Sequence, residues 1–157
     1  MISVVIATRN DQRRLGRTLA ALVPSAVDGL VRQVIVADLG STDATPEIAD
    51  DAGAVVIKGP LAEACATAKE DWLLILDPGA KLADGWERAA HDHIVRVARP
   101  GVIRLGQRRG LLGMMSPAPA VGLLLRKVEV PAEGGLADMA RGVRDAVGLK
   151  VGVSYIA

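Results

Sequence analysis

A chain of 157 residues, half of them hydrophobic and 24% charged, has the size and balance of one globular domain, which excludes disorder and a pair of packed domains. Trp72, Trp86 and Tyr155 are the only aromatic residues, too few to line a stacking platform for unpaired bases, so no nucleic-acid partner is expected. Nineteen basic against eighteen acidic residues leave a net charge of +1, but the sign is divided: residues 1–78 hold seven basic and eleven acidic groups, residues 79–157 twelve and seven.

Ile2 to Thr8 is a continuous run rich in β-branched residues, the pattern of a strand buried on both faces. Asn10 then reads as a helix cap, with Leu15, Leu19 and Leu22 at helical spacing until Pro24. Val31 to Asp38 repeats the strand pattern, Gly40-Ser41-Thr42-Asp43 makes a polar turn, and Thr45-Pro46-Glu47 opens a helix with proline in its first turn, ending at Asp51-Ala52-Gly53. Ala54 to Ile57 predicts a third strand, Leu61 to Lys69 an alanine-rich helix and Trp72 to Leu76 a fourth strand that ends in Asp77. Three alternations of buried strand and helix predict an α/β fold of three layers, α/β/α, with a mainly parallel, Rossmann-like sheet. Beyond Asp77 the pattern is less regular: a helix from about Asp84 to Ala98, strands at Val102 to Leu105 and Val121 to Leu125, a helix at Leu136 to Val147 and a terminal strand at Lys150 to Tyr155. Glycines and prolines between them predict a mobile surface loop over residues 106–120.

Cys65, the only cysteine, rules out an internal disulfide and reads as a small buried residue between alanines. No basic residue precedes Arg9, so the start lacks a secretory-leader pattern, and the expected compartment is the cytoplasm. The longest uncharged run, Gly110 to Leu125, has 16 residues broken by Pro117 and Pro119, short of the roughly 20 a bilayer span needs. Between Asp92 and Glu129 there is no carboxylate, and the basic 96–127 segment is either a solvated basic face or a surface for a local anionic partner.

In an open α/β sheet ligands bind beyond the carboxyl ends of the strands, so the residues that end strands carry the information. These are Thr8-Arg9-Asn10, Asp38 with Ser41, and Asp77-Pro78-Gly79. Asp38 and Asp77 converge on one rim, where a carboxylate can meet a base or ribose or help to hold a divalent cation, or can simply cap the turn that follows. No glycine follows the first strand before Gly16, which excludes dinucleotide and P-loop fingerprints. His91 and His93 point apart around a helix and read as surface histidines, and the absence of Gly-x-Ser-x-Gly removes support for a hydrolase triad.

Ser3 to Asn10, Val34 to Thr45, and Asp71 to Ala80 followed by Gly85-Trp86 together resemble the nucleotide-binding half of a family 2 glycosyltransferase with the GT-A fold. The resemblance covers residues 1–95, leaving 96–157 as a short, divergent acceptor half of the same single domain. It implies a nucleotide-diphosphate sugar as donor, a divalent cation (Mg²⁺ or Mn²⁺) on the diphosphate, and an inverting transfer to an acceptor, with the basic 96–127 segment as the candidate surface for a lipid or glycan acceptor or for a peripheral membrane contact. Carried onto this chain, it implies that Thr8, Arg9, Asn10, Asp38, Ser41 and Asp77 line the nucleotide, that Asp77 is the metal ligand opening the Asp-x-Asp motif, that Lys58 meets phosphate, and that Asp138 is the catalytic base. Three positions depart from the family pattern: Leu39 and Gly79 each stand in place of a second Asp, and Ala137 in place of a Glu. The resemblance therefore leaves two readings open, a divergent transferase and a degenerate module that binds a nucleotide or protein without turnover. Restoring the motif by Gly79→Asp is expected to raise metal affinity.

Overall fold

The computed structural model describes residues 1–105 and 118–155. Most of the loop expected at 106–120 lies outside the described residues.

A seven-stranded sheet forms the centre, in the order β3-β2-β1-β4-β7-β6-β8. Its strands are β1 (Ile2–Thr8), β2 (Val31–Asp38), β3 (Val55–Lys58), β4 (Trp72–Leu76), β6 (Gly101–Arg104), β7 (Ala120–Arg126) and β8 (Val147–Gly148). β7 alone runs against its neighbours, antiparallel to both β4 and β6, so the remaining strands share one direction. A two-stranded antiparallel ribbon, β5 (Ala80–Leu82) with β9 (Val153–Tyr155), stands beside it.

Alternation along the strands makes two cores. Ile2, Val4 and Ile6 of β1 face α1 (Gln12–Val27), α2 (Thr45–Asp51) and α4 (Trp86–Arg96), burying Leu15, Leu19, Ala49, Trp86 and Ala90. Val5, with Ile35, Leu73 and Ile75, faces α3 (Leu61–Ala66) and α5 (Leu136–Gly142), burying Leu61, Cys65, Met139 and Ala140. Helices on both faces explain why β4 is apolar throughout and β1 and β2 are apolar over most of their buried length: each alternate side chain enters one core or the other. The three-layer, mainly parallel architecture expected from the sequence is the observed one.

Several boundaries differ. Asn10 does not cap α1; it takes a left-handed conformation with φ +52°, and the helix starts at Gln12. Pro24 does not end α1, which continues to Val27. Pro24 and Ala20, whose carbonyl loses its donor, are both exposed, so water can satisfy that carbonyl. α3 stops at Ala66: the Thr67 and Ala68 amides tighten onto the Ala64 and Cys65 carbonyls, and the amides after them leave for the sheet, Lys69 N–H donating to Gln33 Oε1 and Glu70 N–H to Ser3 Oγ. α5 ends at Gly142, well before Val147, which instead adds β8 to the sheet.

Candidate functional site

The carboxyl ends of β1, β2 and β4 form one rim. Thr8 is in register with Asp38, and Ile6 with Leu76, so Asp38 and Asp77 flank the end of β1 from either side, about two strand spacings or 10 Å apart.

The turns after β1 and β2 are tied to each other. Asn10 N–H donates to Ser41 Oγ at 2.9 Å, and Asn10 Oδ1 accepts the Thr42 N–H at 2.7 Å. Asp11 N–H donates to Thr45 Oγ1 at 3.0 Å, and Ala44 N–H to Gln12 Oε1 at 3.2 Å. Asp43 accepts the Thr45 hydroxyl and N–H, and these bonds hold its carboxyl below the usual carboxylate range. The Asp38 carboxylate is buried and accepts the Ser41 N–H at 3.1 and 3.3 Å, which is the turn-capping role open to it from the sequence. Thr8 is also buried, and its hydroxyl has no hydrogen-bond partner among the described residues. Arg9 is exposed beside it, and Leu39, 47% exposed, puts an apolar surface on an otherwise polar rim.

Asp77 is held differently. The Asp77-Pro78-Gly79-Ala80 segment is a turn closed by Ala80 N–H on the Asp77 carbonyl at 3.1 Å, with Gly79 at φ +89°. Proline second and a left-handed glycine third is the chemistry of a type II turn. Gly79 N–H donates to the buried Thr18 Oγ1 at 2.8 Å. Over the turn lies Arg14 from the first half of α1. Its Nη2 donates to the Pro78 carbonyl at 2.6 Å and stands 3.7 Å from Asp77 Oδ2, while Nη1 pairs with Asp11 at 3.1 Å. Tyr155 from β9 donates its hydroxyl to Asp77 Oδ2, and its ring lies 5.4 Å from the Arg14 guanidinium carbon.

Neither Arg14 nor Tyr155 was singled out by sequence. Arg14 had a weak signal, since it shares an α1 stripe with Thr18 one turn on, and Thr18 holds the same β4–β5 turn. Tyr155 had none, being 78 residues from its partner.

The other sequence candidates lie apart from this cluster. Lys58 is exposed at the end of the edge strand β3, lining a shallow concavity with Glu47 and Asp50. Three strand spacings, about 14 Å, separate that strand from β4. Asp138 sits in the first turn of α5, where it accepts Gly135 N–H at 3.3 Å and pairs with Arg141. That helix packs on the face opposite α1. His93 is not a surface residue: it is buried, and its Nε2–H donates to the Arg99 carbonyl at 2.8 Å, tying α4 to β6, whereas His91 is exposed.

These contacts decide how a divalent cation would fare at Asp77. One carboxylate is available, with one oxygen engaged by Tyr155 and faced by Arg14. A dication roughly 6 Å from a guanidinium is repelled by about 1 kcal/mol in water and about 6 at an effective dielectric near 20. Among the described residues no three His, Cys, Asp or Glu side chains group to hold a metal. The donor set does not fit a divalent cation.

Comparison with known proteins adds the following. The family described as glycosyl transferase family 2 matches residues 3–88. A TPR repeat-containing protein of Synechococcus elongatus is 35% identical over 89 residues, covering 52% of this chain and 21% of that protein; the chain thus spans about a fifth of that relative's length. Among solved structures, glucosyl-3-phosphoglycerate synthase from Mycobacterium tuberculosis with phosphoglyceric acid superposes with a TM-score of 0.68 at 19% identity, over 100% of this chain and 72% of that one. The same synthase with Mn²⁺, uridine diphosphate and glucosyl-3-phosphoglycerate gives 0.66 at 20% identity, again over 100% and 72%. S. aureus TarS residues 1–349, with uridine diphosphate, gives 0.56 at 20% identity over 70% of this chain and 37% of that one. At these identities the likeness is one of fold.

Proposed function

The chain belongs to glycosyl transferase family 2, and on that premise we propose that it binds the nucleoside diphosphate of a nucleotide-sugar donor across the carboxyl ends of β1, β2 and β4 and passes the sugar to an acceptor hydroxyl with inversion. The observation that carries this reading is the cross-tied pair of turns, Asn10 to Ser41 and Thr42, set beside Asp77 on one rim. Two loops locked by side-chain bonds keep their shape without a ligand, which lowers the ordering cost of binding one. Thr8, Arg9, Asn10, Asp38 and Ser41 frame the nucleoside in this reading, and Leu39 offers the base an apolar face. The uridine diphosphate held by the M. tuberculosis synthase and by TarS supports the ligand class.

In the transfer itself a carboxylate, with Asp138 the candidate, takes the acceptor proton. The freed oxygen bonds to the anomeric carbon on the face opposite the diphosphate, and the bond to the diphosphate breaks with its electron pair. A cavity of 190 Å³ rimmed by Arg104, Pro119, Ala137 and Arg141 lies on the acceptor side and suits an acceptor with an anionic group. A second reading, binding without turnover, is favoured by one observation: both Asp138 oxygens are already engaged by Gly135 and Arg141.

A thermal-shift panel of nucleoside diphosphates, followed by mass-spectrometric detection of sugar release from the matching donors, tests both. A ligand at a hundred times its dissociation constant adds about 2.7 kcal/mol, which raises Tm by roughly 5–10 °C in a chain of this size. One responsive nucleotide with sugar release lost in Asp138→Asn supports transfer. A responsive nucleotide without release from any donor supports the second reading. A flat panel overturns the nucleotide site.

A further inference from the structure

The turn that follows β4 already carries a positive charge. A Cβ built on Gly79 would sit 2.7 Å from Arg14 Nε, 3.2 Å from Nη2 and 3.3 Å from Cζ. The guanidinium therefore lies in the space that any side chain at position 79 would claim, and the glycine is what admits it. Arg14 is not a loose surface side chain. The Pro78 carbonyl, Asp11 and the Tyr155 ring fix it from three sides, and Tyr155 is itself fixed by the same carboxylate that Arg14 faces.

Charge counting gives the arrangement a meaning. Two carboxylates and a divalent cation sum to zero; Asp77 and Arg14 also sum to zero. Replacing one carboxylate by glycine and the dication by a guanidinium keeps the balance of the Asp77–Arg14 pair itself, while Asp11, bonded to the same guanidinium, brings the three-residue cluster to −1 and accepts only one Nη1 proton. Of the five guanidinium N–H groups, two are spent at hydrogen-bond distance, on Asp11 and on Pro78, and the side chain is 42% exposed. The remaining donors form part of the planar fork that matches phosphate oxygens.

We propose that Arg14 takes the place of the divalent cation beside Asp77, so that this chain binds a nucleoside diphosphate through the Arg14 guanidinium and without a metal. The proposal rests on the nucleotide reading of the rim given above. Two other basic groups stand farther from Asp77: Lys58 lies at the far edge strand, and Arg104, two strands from β4 on the other side, is bonded to the Ala118 carbonyl.

The test is isothermal titration of the full chain with uridine diphosphate and guanosine diphosphate, in excess chelator and in Mn²⁺, for the unaltered protein, Arg14→Lys and Arg14→Gln, with circular dichroism to check folding. The expected result is an affinity in chelator equal to that in Mn²⁺ within about twofold. Arg14→Gln should weaken it by about tenfold to a hundredfold, the range for a lost charged hydrogen bond. Arg14→Lys should fall between, since it keeps the charge and loses the fork. A tenfold or greater gain from Mn²⁺ in the unaltered chain overturns the proposal while leaving the nucleotide reading in place, and so does Arg14→Gln binding as tightly as the unaltered chain. Binding of neither nucleotide under any condition removes the nucleotide reading and the proposal with it. Should the Arg14 variants not fold, the chelator comparison on the unaltered chain decides alone.

Discussion

Gly79 shows how one position can carry two constraints. Its φ of +89° is set by the type II turn, and its missing side chain makes room for Arg14. The sequence-based expectation that Gly79→Asp repairs a metal site therefore meets an obstacle. Asp at this φ is strained, and its Cβ would collide with a guanidinium anchored elsewhere. We expect Gly79→Asp to destabilise the fold by about 1–3 kcal/mol, read as a lower urea midpoint, with no gain in Mn²⁺ affinity. Combining it with Arg14→Ala should recover part of the loss, because the collision is removed while the backbone strain stays; simple additivity of the two changes would refute this account. Asp38 and Asp77 were legible as rim residues, because a residue that ends a buried parallel strand has little choice of location. What each carboxylate touches was not legible. Asp38 turned to Ser41 in its own loop, and Asp77 to side chains from α1 and β9.

At the scale of elements, two of the helices, α3 and α5, end short of their periodicity where the segments that follow bond to the sheet. α3 is the clear case, its downstream amides claimed by Gln33 and Ser3 from the sheet. β5 was missed because three residues carry no usable pattern; it exists because β9 pairs with it. The junction of α4 and β6 gives a direct test of element packing. Gly101 opens β6 directly under the His93 ring, and a Cβ there would lie 2.9 Å from Nε2, the atom that bonds to Arg99. Gly101→Ala should cost about 1–3 kcal/mol, as overpacking does, and should shift the His93 ring resonances in a two-dimensional NMR spectrum. An unchanged unfolding midpoint would mean that the ring moves aside freely.

For the molecule as a whole, burial makes stability depend on alkaline pH. The Cys65 thiol, packed between α3 and the sheet, is pushed up to about 12 by desolvation, from an ordinary value near 9. Tyr155 is raised above its ordinary 10.0, first by burial and then by its bond to Asp77. Both groups hold their protons more tightly when folded. Their contributions are thus complete below about pH 9 and drain away as pH rises through the folded values. Chemical denaturation between pH 8 and 11 should show a falling unfolding free energy, and Cys65→Ala should flatten that slope; an equal slope in the variant would separate it from the thiol. Apolar periodicity by itself determined the order of elements as far as β4, the two-sided burial of β1, β2 and β4, and hence the layer architecture and the rim, because those follow from local geometry and from the need to bury strands on both faces. The tertiary structure alone decided the reversed β7, the β5–β9 ribbon and the company of Asp77. These are pairings between segments far apart in the chain, chosen by which donors and charges the packed sheet brings within a few ångströms, and no local pattern encodes that choice.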